Sequence, residues 1–141
     1  MDCDQYFNID IKKTIEFIKN KTFFKNGFTI NKKSRKKIKA LIVVHVFGNA
    51  VDLKEIRKLC KKRNIKLIED CSESVGTFYK NKNKKKHTGN DGDLSCLSFN
   101  GNKIITSGAG GIILTNLKKY EKKIRYLIKQ AKDDQLNFVH N

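Results

Sequence analysis

At 141 residues and 38% apolar content, the chain is long enough for one domain with a real core and too short for two ordinary ones. That content argues against global disorder, and no apolar run approaches the roughly 18 residues needed to span a bilayer. The formal charge of +17 invites a nucleic-acid reading. Yet the cations are nearly all lysine, and the bidentate guanidinium that base readers favour occurs only at Arg35, Arg57, Arg63 and Arg125.

The abundance of Asn and Ile alongside Lys, with no Pro or Trp, is the bias an AT-rich coding sequence produces whatever the function, so no nucleic-acid partner is expected. The start, Met1-Asp2-Cys3-Asp4, is acidic and lacks the apolar stretch of a secretory signal. Cys3, Cys60, Cys71 and Cys96 form no C-x-x-C pair, which suits free thiols in a reducing compartment better than disulfides or a zinc site. The expectation is a cytoplasmic protein with no membrane span and no metal.

Along the chain, Ile11, Ile15 and Ile18 recur at helical spacing within Ile9 to Asn20. Lys21 to Lys39 is basic, contains Gly27 and the apolar pair Phe23 and Phe24, and reads as a loop or hairpin. Ala40 to Val44 is a short continuous apolar run, the pattern of a strand buried on both faces. Gly48 breaks the chain, and a helix opens at Asp52, where Asp52 and Glu55 have capping-box spacing. Leu53, Ile56, Leu59 and Cys60 form its apolar stripe.

Ile65 to Ile68 is the next strand, ending at Glu69-Asp70. Strand, helix and strand at this spacing make a βαβ unit and a partly parallel sheet. Lys80 to His87 is a lysine-asparagine tract without an apolar anchor and reads as a solvated loop, with a phosphate-attracting patch as the sharper alternative. Leu94 to Phe99 is a third strand, followed by an Asn100-Gly101-Asn102 turn. Gly108, Gly110 and Gly111 open a strand over Ile112 to Leu114, and Leu117, Tyr120, Ile124, Leu127 and Ile128 mark an amphipathic helix.

Ligands of open α/β sheets bind beyond the carboxyl ends of the strands. His45, the pair Asp70 and Glu73, and the pair Ser98 and Lys103 are placed there by this reading. A lysine amine attacks a carbonyl only when neutral, and among so many lysines position alone does not single out Lys103. Asp70 could cap the segment after its strand, or hold a heterocyclic nitrogen protonated. Gly108-Ala109-Gly110-Gly111 is neither a dinucleotide fingerprint nor a Walker loop. Its glycines suit a tight turn beside a ligand or between strands.

Three strings occur in order: His45-Val46-Phe47-Gly48, Ile68 to Gly76 (IEDCSESVG), and Leu97 to Gly111 (LSFNGNKIITSGAGG). Together they resemble the core of the DegT/DnrJ/EryC1/StrS family of nucleotide-sugar aminotransferases, with the likeness running from Asn8-Ile9-Asp10 to the last helix. The resemblance implies an α/β fold, part of a fold-type I transferase large domain with a mostly parallel sheet and flanking helices. It implies pyridoxal 5'-phosphate as cofactor. Lys103 matches the lysine that forms the internal aldimine and shuttles protons, Asp70 the partner of the pyridine nitrogen, and Ser98 a ligand of the cofactor phosphate.

Glu73 falls where many members carry a glutamine or histidine near the cofactor's phenolic oxygen, so its role departs from the pattern. Ala109 replaces the glutamate of the common Gly-Glu-Gly-Gly version. His45 is given no catalytic step. The implied reaction moves an amino group, usually from glutamate, to a keto-sugar nucleotide of the 4-keto-6-deoxy hexose type. That reaction serves surface polysaccharide or amino-sugar biosynthesis.

The wording around Lys103 is nearest the branches acting on UDP-linked N-acetylated sugars or perosamine precursors. Retention of the lysine argues against the dehydratase branch, where histidine commonly replaces it. The whole of 1–141 reads as a single partial domain, the central part of the cofactor-binding large domain, without the N-terminal portion and the small domain. The full-length form would be a homodimer. An inactive remnant of such an enzyme and a basic nucleic-acid-binding module are the competing readings.

Overall fold

The computed structural model describes residues 2–81 and 84–129. Helix α1 (Ile11–Asn20) begins at Asp10, whose carboxylate accepts the Lys13 N–H and so satisfies one of the unpaired donors of the first turn. The basic stretch after it is the hairpin reading realised. Strands β1 (Thr22–Lys25), β2 (Phe28–Asn31) and β3 (Lys37–Ile38) form a small antiparallel sheet. Its underside is tied to the rest of the chain by buried Thr29, whose hydroxyl donates to Arg63 O at 2.6 Å.

Strand β4 (Ala40–Val44) leads through a 3-10 turn (Val46–Gly48) into helix α2 (Lys54–Lys62) and strand β5 (Lys66–Asp70), which pairs parallel with β4. This is the βαβ unit expected from the sequence. The expected capping box at Asp52 does not form: the residue that caps α2 is Leu53, and Asp52 accepts the N–H of Lys54, two residues on, at 3.0 Å rather than that of Glu55. A hairpin of β6 (Phe78–Asn81) and β7 (Lys84–His87) follows. Strand β8 (Leu94–Ser98) then pairs parallel with β5, and β9 (Gly111–Leu114) pairs antiparallel with β8. Helix α3 (Lys118–Ile128) ends the described chain. The main sheet has the order β4-β5-β8-β9, mixed but mostly parallel, and the fold class read from the sequence holds.

Register assigns the two faces of that sheet. Leu41 and Val43 lie beside Leu67 and Glu69, whereas Ile42 and Val44 lie beside Ile68 and Asp70. The first face packs under α1 and α2 in a core of Ile18, Val43, Val51, Leu53, Ile56, Cys60, Ile65 and Leu67. Each such fully buried aliphatic side chain contributes about 1.5–3 kcal/mol. The second face is open: Ile42 is 58% exposed, Val44 38% and Ile113 46%. The expectation that β4 is buried on both faces is therefore wrong, because no element among the described residues covers its second face.

The lysine-asparagine tract is likewise not a loop over its described part. Phe78 pairs with His87, Tyr79 with Lys86 and Lys80 with Lys85 across the hairpin, with residues 82 and 83 outside the described residues. The anchor that the tract itself lacks stands at its root. The Phe78 and His87 rings meet edge to face at 5.1 Å, and the Tyr79 hydroxyl donates to Val51 O at 2.8 Å. In α3 the apolar stripe is present, but none of it is fully buried, and Leu127 and Ile128 remain exposed.

Candidate functional site

The carboxyl ends of β4, β5 and β8 each lead into a loop that carries polar side chains, and the first is the turn after β4. Its backbone is unusual. Phe47 has φ 51° and Gly48 φ 81°, and the left-handed region costs a β-carbon-bearing residue roughly 1–2 kcal/mol. The turn is held by bonds from outside it. Buried Asn8 accepts the Val46 N–H at 2.9 Å and donates to Asn49 O at 3.1 Å, and Glu73 Oε2 accepts the Phe47 N–H at 2.8 Å.

Asp70 closes β5 on the open face of the sheet and accepts the Ser72 N–H at 3.0 Å. Partial burial works to raise its pKa. The Ser72 hydroxyl and N–H, the Cys96 thiol and the positive charge of Lys103 outweigh that and hold the carboxyl below the usual aspartate range. Asp70 is thus an ionised carboxylate at neutral pH. Beside it, Lys103 Nζ lies 3.7 Å from Glu73 Oε1, with the lysine side chain only 18% exposed. Three of the residues singled out in the sequence, Asp70, Glu73 and Lys103, therefore stand together.

Ser98 ends β8. Asp70 pairs with Cys96, so Ser98 stands two residues further along on the same open face. Its hydroxyl accepts the Asn100 N–H at 3.4 Å. The Asn100-Gly101-Asn102 turn forms as expected, closed by the Lys103 N–H on Asn100 O at 3.0 Å. Gly111 answers the question left by the glycine run: a β-carbon there would stand 2.6 Å from Leu97 O, so the close approach of two strands fixes this glycine.

His45 is elsewhere in character. It is fully buried; Nδ1 accepts the Val51 N–H at 3.1 Å, which leaves Nε2 to donate to Glu69 Oε2 at 3.0 Å. Glu69, also fully buried, further accepts N–H groups of Gly89 (2.9 Å), Asp91 (2.7 Å) and Gly92. Burial raises its pKa, but the His45 bond and the three backbone donors prevail and leave it below the usual value.

Cys71 Sγ lies with ligand-type atoms of His45 and Glu69 within 4.8 Å of one another. Both imidazole nitrogens and both carboxylate oxygens are already committed to hydrogen bonds, so this is a structural network under the site rather than a metal centre. Sequence reading missed Glu69 and Asn8. The available signal was parity, since Glu69 shares the inward face with Leu67, and a carboxylate at such a position must be paired.

An open, mostly parallel α/β sheet with a lysine and two carboxylates at its carboxyl edge is the arrangement in which α/β domains bind ligands beyond their strand ends. The family model of the DegT/DnrJ/EryC1/StrS aminotransferases matches residues 1–141, and the chain belongs to that pyridoxal-phosphate-dependent family.

Among relatives, the GDP-perosamine synthase of Escherichia coli O157:H7 is 42% identical over 99 residues, 70% of this chain and 26% of that protein. The GDP-perosamine synthase of Vibrio cholerae is 46% identical over 87 residues, 62% of this chain and 23% of that protein. In structure, Helicobacter pylori PseC, an aminotransferase of pseudoaminic acid biosynthesis, superposes with a TM-score of 0.67 at 26% identity. It covers 98% of this chain and 32% of its own. The chain spans about a quarter of the length of the two synthases.

The residues present suit the cofactor. The lysine side chain is largely shielded beside two carboxylates, one of them held ionised by its surroundings, which is the donor set that an aldehyde-bearing pyridinium requires. No helix among the described residues is long and apolar enough to cross a membrane.

Proposed function

We propose that this chain carries the lysine-bearing core of an aminotransferase that uses pyridoxal phosphate to move an amino group from glutamate to a keto-sugar nucleotide. The observation that carries the proposal is the grouping of Lys103, Glu73 and ionised Asp70 at the carboxyl edge of the sheet. Pyridoxal phosphate, when bound, supplies a ring that takes up negative charge from the reacting carbon.

Lys103 provides the amine that holds the cofactor's aldehyde and moves a proton at that carbon. Asp70 keeps the ring nitrogen protonated, and its depressed pKa suits that task, because a carboxylate that stays ionised leaves the proton on the nitrogen and balances its positive charge. Ser98 offers its hydroxyl to the phosphate. The two GDP-perosamine synthases favour a GDP-linked 4-keto-6-deoxy hexose as acceptor. The active form is a homodimer.

The test is conversion of GDP-4-keto-6-deoxy-mannose to the 4-amino sugar nucleotide in the presence of glutamate and pyridoxal phosphate, read by mass spectrometry. The amino sugar should appear with the unaltered sequence and vanish with Lys103→Ala. Lysine-dependent capture of the cofactor without amino sugar from GDP-, UDP- or dTDP-linked ketones would overturn the substrate class and leave the cofactor assignment standing.

A further inference from the structure

Lys103 sits on a segment whose own bonds close within itself. Its N–H reaches Asn100 O, the Ser107 N–H and the Thr106 hydroxyl both reach Phe99 O, and the Phe99 N–H reaches Gly110 O. The residues on either side are exposed: Asn100, Gly101 and Asn102 before it, Ile104 (67%) and Ile105 (55%) after it. Nothing in that loop fixes where the amine points. Among the described residues, the one ion pair Lys103 makes is with Glu73 Oε1.

The other oxygen of the same carboxylate accepts the Phe47 N–H at 2.8 Å. That N–H belongs to a residue in the left-handed region, inside the turn that follows β4. The loop bearing Glu73 is bound to the turn a second time, through the Thr77 hydroxyl on Gly48 O at 3.0 Å.

Resting on the proposed role of Lys103, we propose that Glu73 is a positioning residue. Its two oxygens join the turn at Phe47 to the amine of Lys103, so the sheet rather than the lysine loop sets the place of the amine. The chemistry explains why a carboxylate stands at this position. The two partners, a backbone N–H and an ammonium, lie at different oxygens of one side chain, and only a carboxylate offers an acceptor at both places together with the charge that attracts the ammonium. A glutamine that keeps its carbonyl oxygen on the Phe47 N–H turns an uncharged donor NH₂ toward Lys103, so it preserves the first bond and loses the attraction to the ammonium. Alanine serves neither.

The two functions separate in experiments that need no cofactor. Amide hydrogen exchange at Phe47 reads one oxygen, and acylation of Lys103 by a small amine reagent, mapped by mass spectrometry at fixed pH, reads the other. Glu73→Gln should leave Phe47 exchange within a few-fold of the unaltered chain, while Glu73→Ala should speed it by roughly tenfold or more, as loss of a bond to a charged acceptor implies. Lys103 should be acylated roughly two- to fivefold faster in both variants, the range for a partly exposed ion pair. Lys103→Met should leave Phe47 exchange unchanged.

A general loss of packing would move both readouts together in every variant. Unchanged Phe47 exchange in Glu73→Ala, or unchanged Lys103 acylation in Glu73→Gln, overturns the proposal. If Glu73→Ala does not fold, the Gln and Met variants still decide it. Failure of Lys103 to capture pyridoxal phosphate would instead refute the cofactor reading, because neither readout here involves the cofactor.

Discussion

Replacing Glu69 by alanine should destabilise the chain more than any surface substitution near the site. The carboxylate is fully buried and accepts four hydrogen bonds, from His45 Nε2 and from the N–H groups of Gly89, Asp91 and Gly92. Alanine leaves all four donors without this partner, two of them, His45 Nε2 and the Gly89 N–H, fully buried. Removing one partner of a buried charged network costs about 3–5 kcal/mol, a large share of the roughly 5–15 kcal/mol that holds a domain together.

Urea unfolding followed by circular dichroism measures the loss, and the melting temperature should fall by roughly 10 °C. The pH dependence carries its own sign. Because the folded pKa lies below the ordinary value of 4.5, the stabilisation is complete above the unfolded pKa and is lost as pH falls through the folded one. The gap between the unaltered chain and Glu69→Ala should therefore be widest near neutrality and should close in acid. A loss below about 1 kcal/mol at pH 7, or a gap that widens on acidification, would refute the reasoning.

Two further outcomes follow from burial and close approach. Gly111→Ala places a β-carbon 2.6 Å from Leu97 O, so β8 and β9 must part. Thermal unfolding should show a loss of about 1–3 kcal/mol, and a neutral result would mean the strands separate freely there. Burial pushes the Cys60 and Cys71 thiols up to about 11, whereas Cys3 is exposed. At pH 8 a thiol reagent should label Cys3 quickly and reach Cys60 and Cys71 only after denaturant is added.

The strands and helices that pack on the core were legible because their apolar spacing is enforced by the surface they cover. Ile56 and Cys60 on α2, and Leu67 on β5, fall inside as their periods dictate. The β6–β7 hairpin was not legible. Its second strand is three lysines and a histidine with no apolar face, and the ring pair that roots it, Phe78 with His87, joins residues nine apart that no short pattern links. The open face of β4 was misread for a related reason: an apolar run tells that a strand can be buried twice, not that both covers are present.

At the site, Lys103, Asp70 and Glu73 were found through motif wording, which spacing alone could not have done. Asn8 and Glu69 escaped because their work is to receive backbone N–H groups from segments 20 or more residues away. Only the folded path reveals such partners.

The central claim is that one lysine among many is the cofactor lysine. Incubation with pyridoxal phosphate, borohydride reduction and peptide mapping test it directly. A pyridoxyl adduct should concentrate on the peptide containing Lys103 and disappear from it in Lys103→Ala without rising elsewhere. Label spread evenly over the surface lysines, or undiminished in Lys103→Ala, would contradict the account.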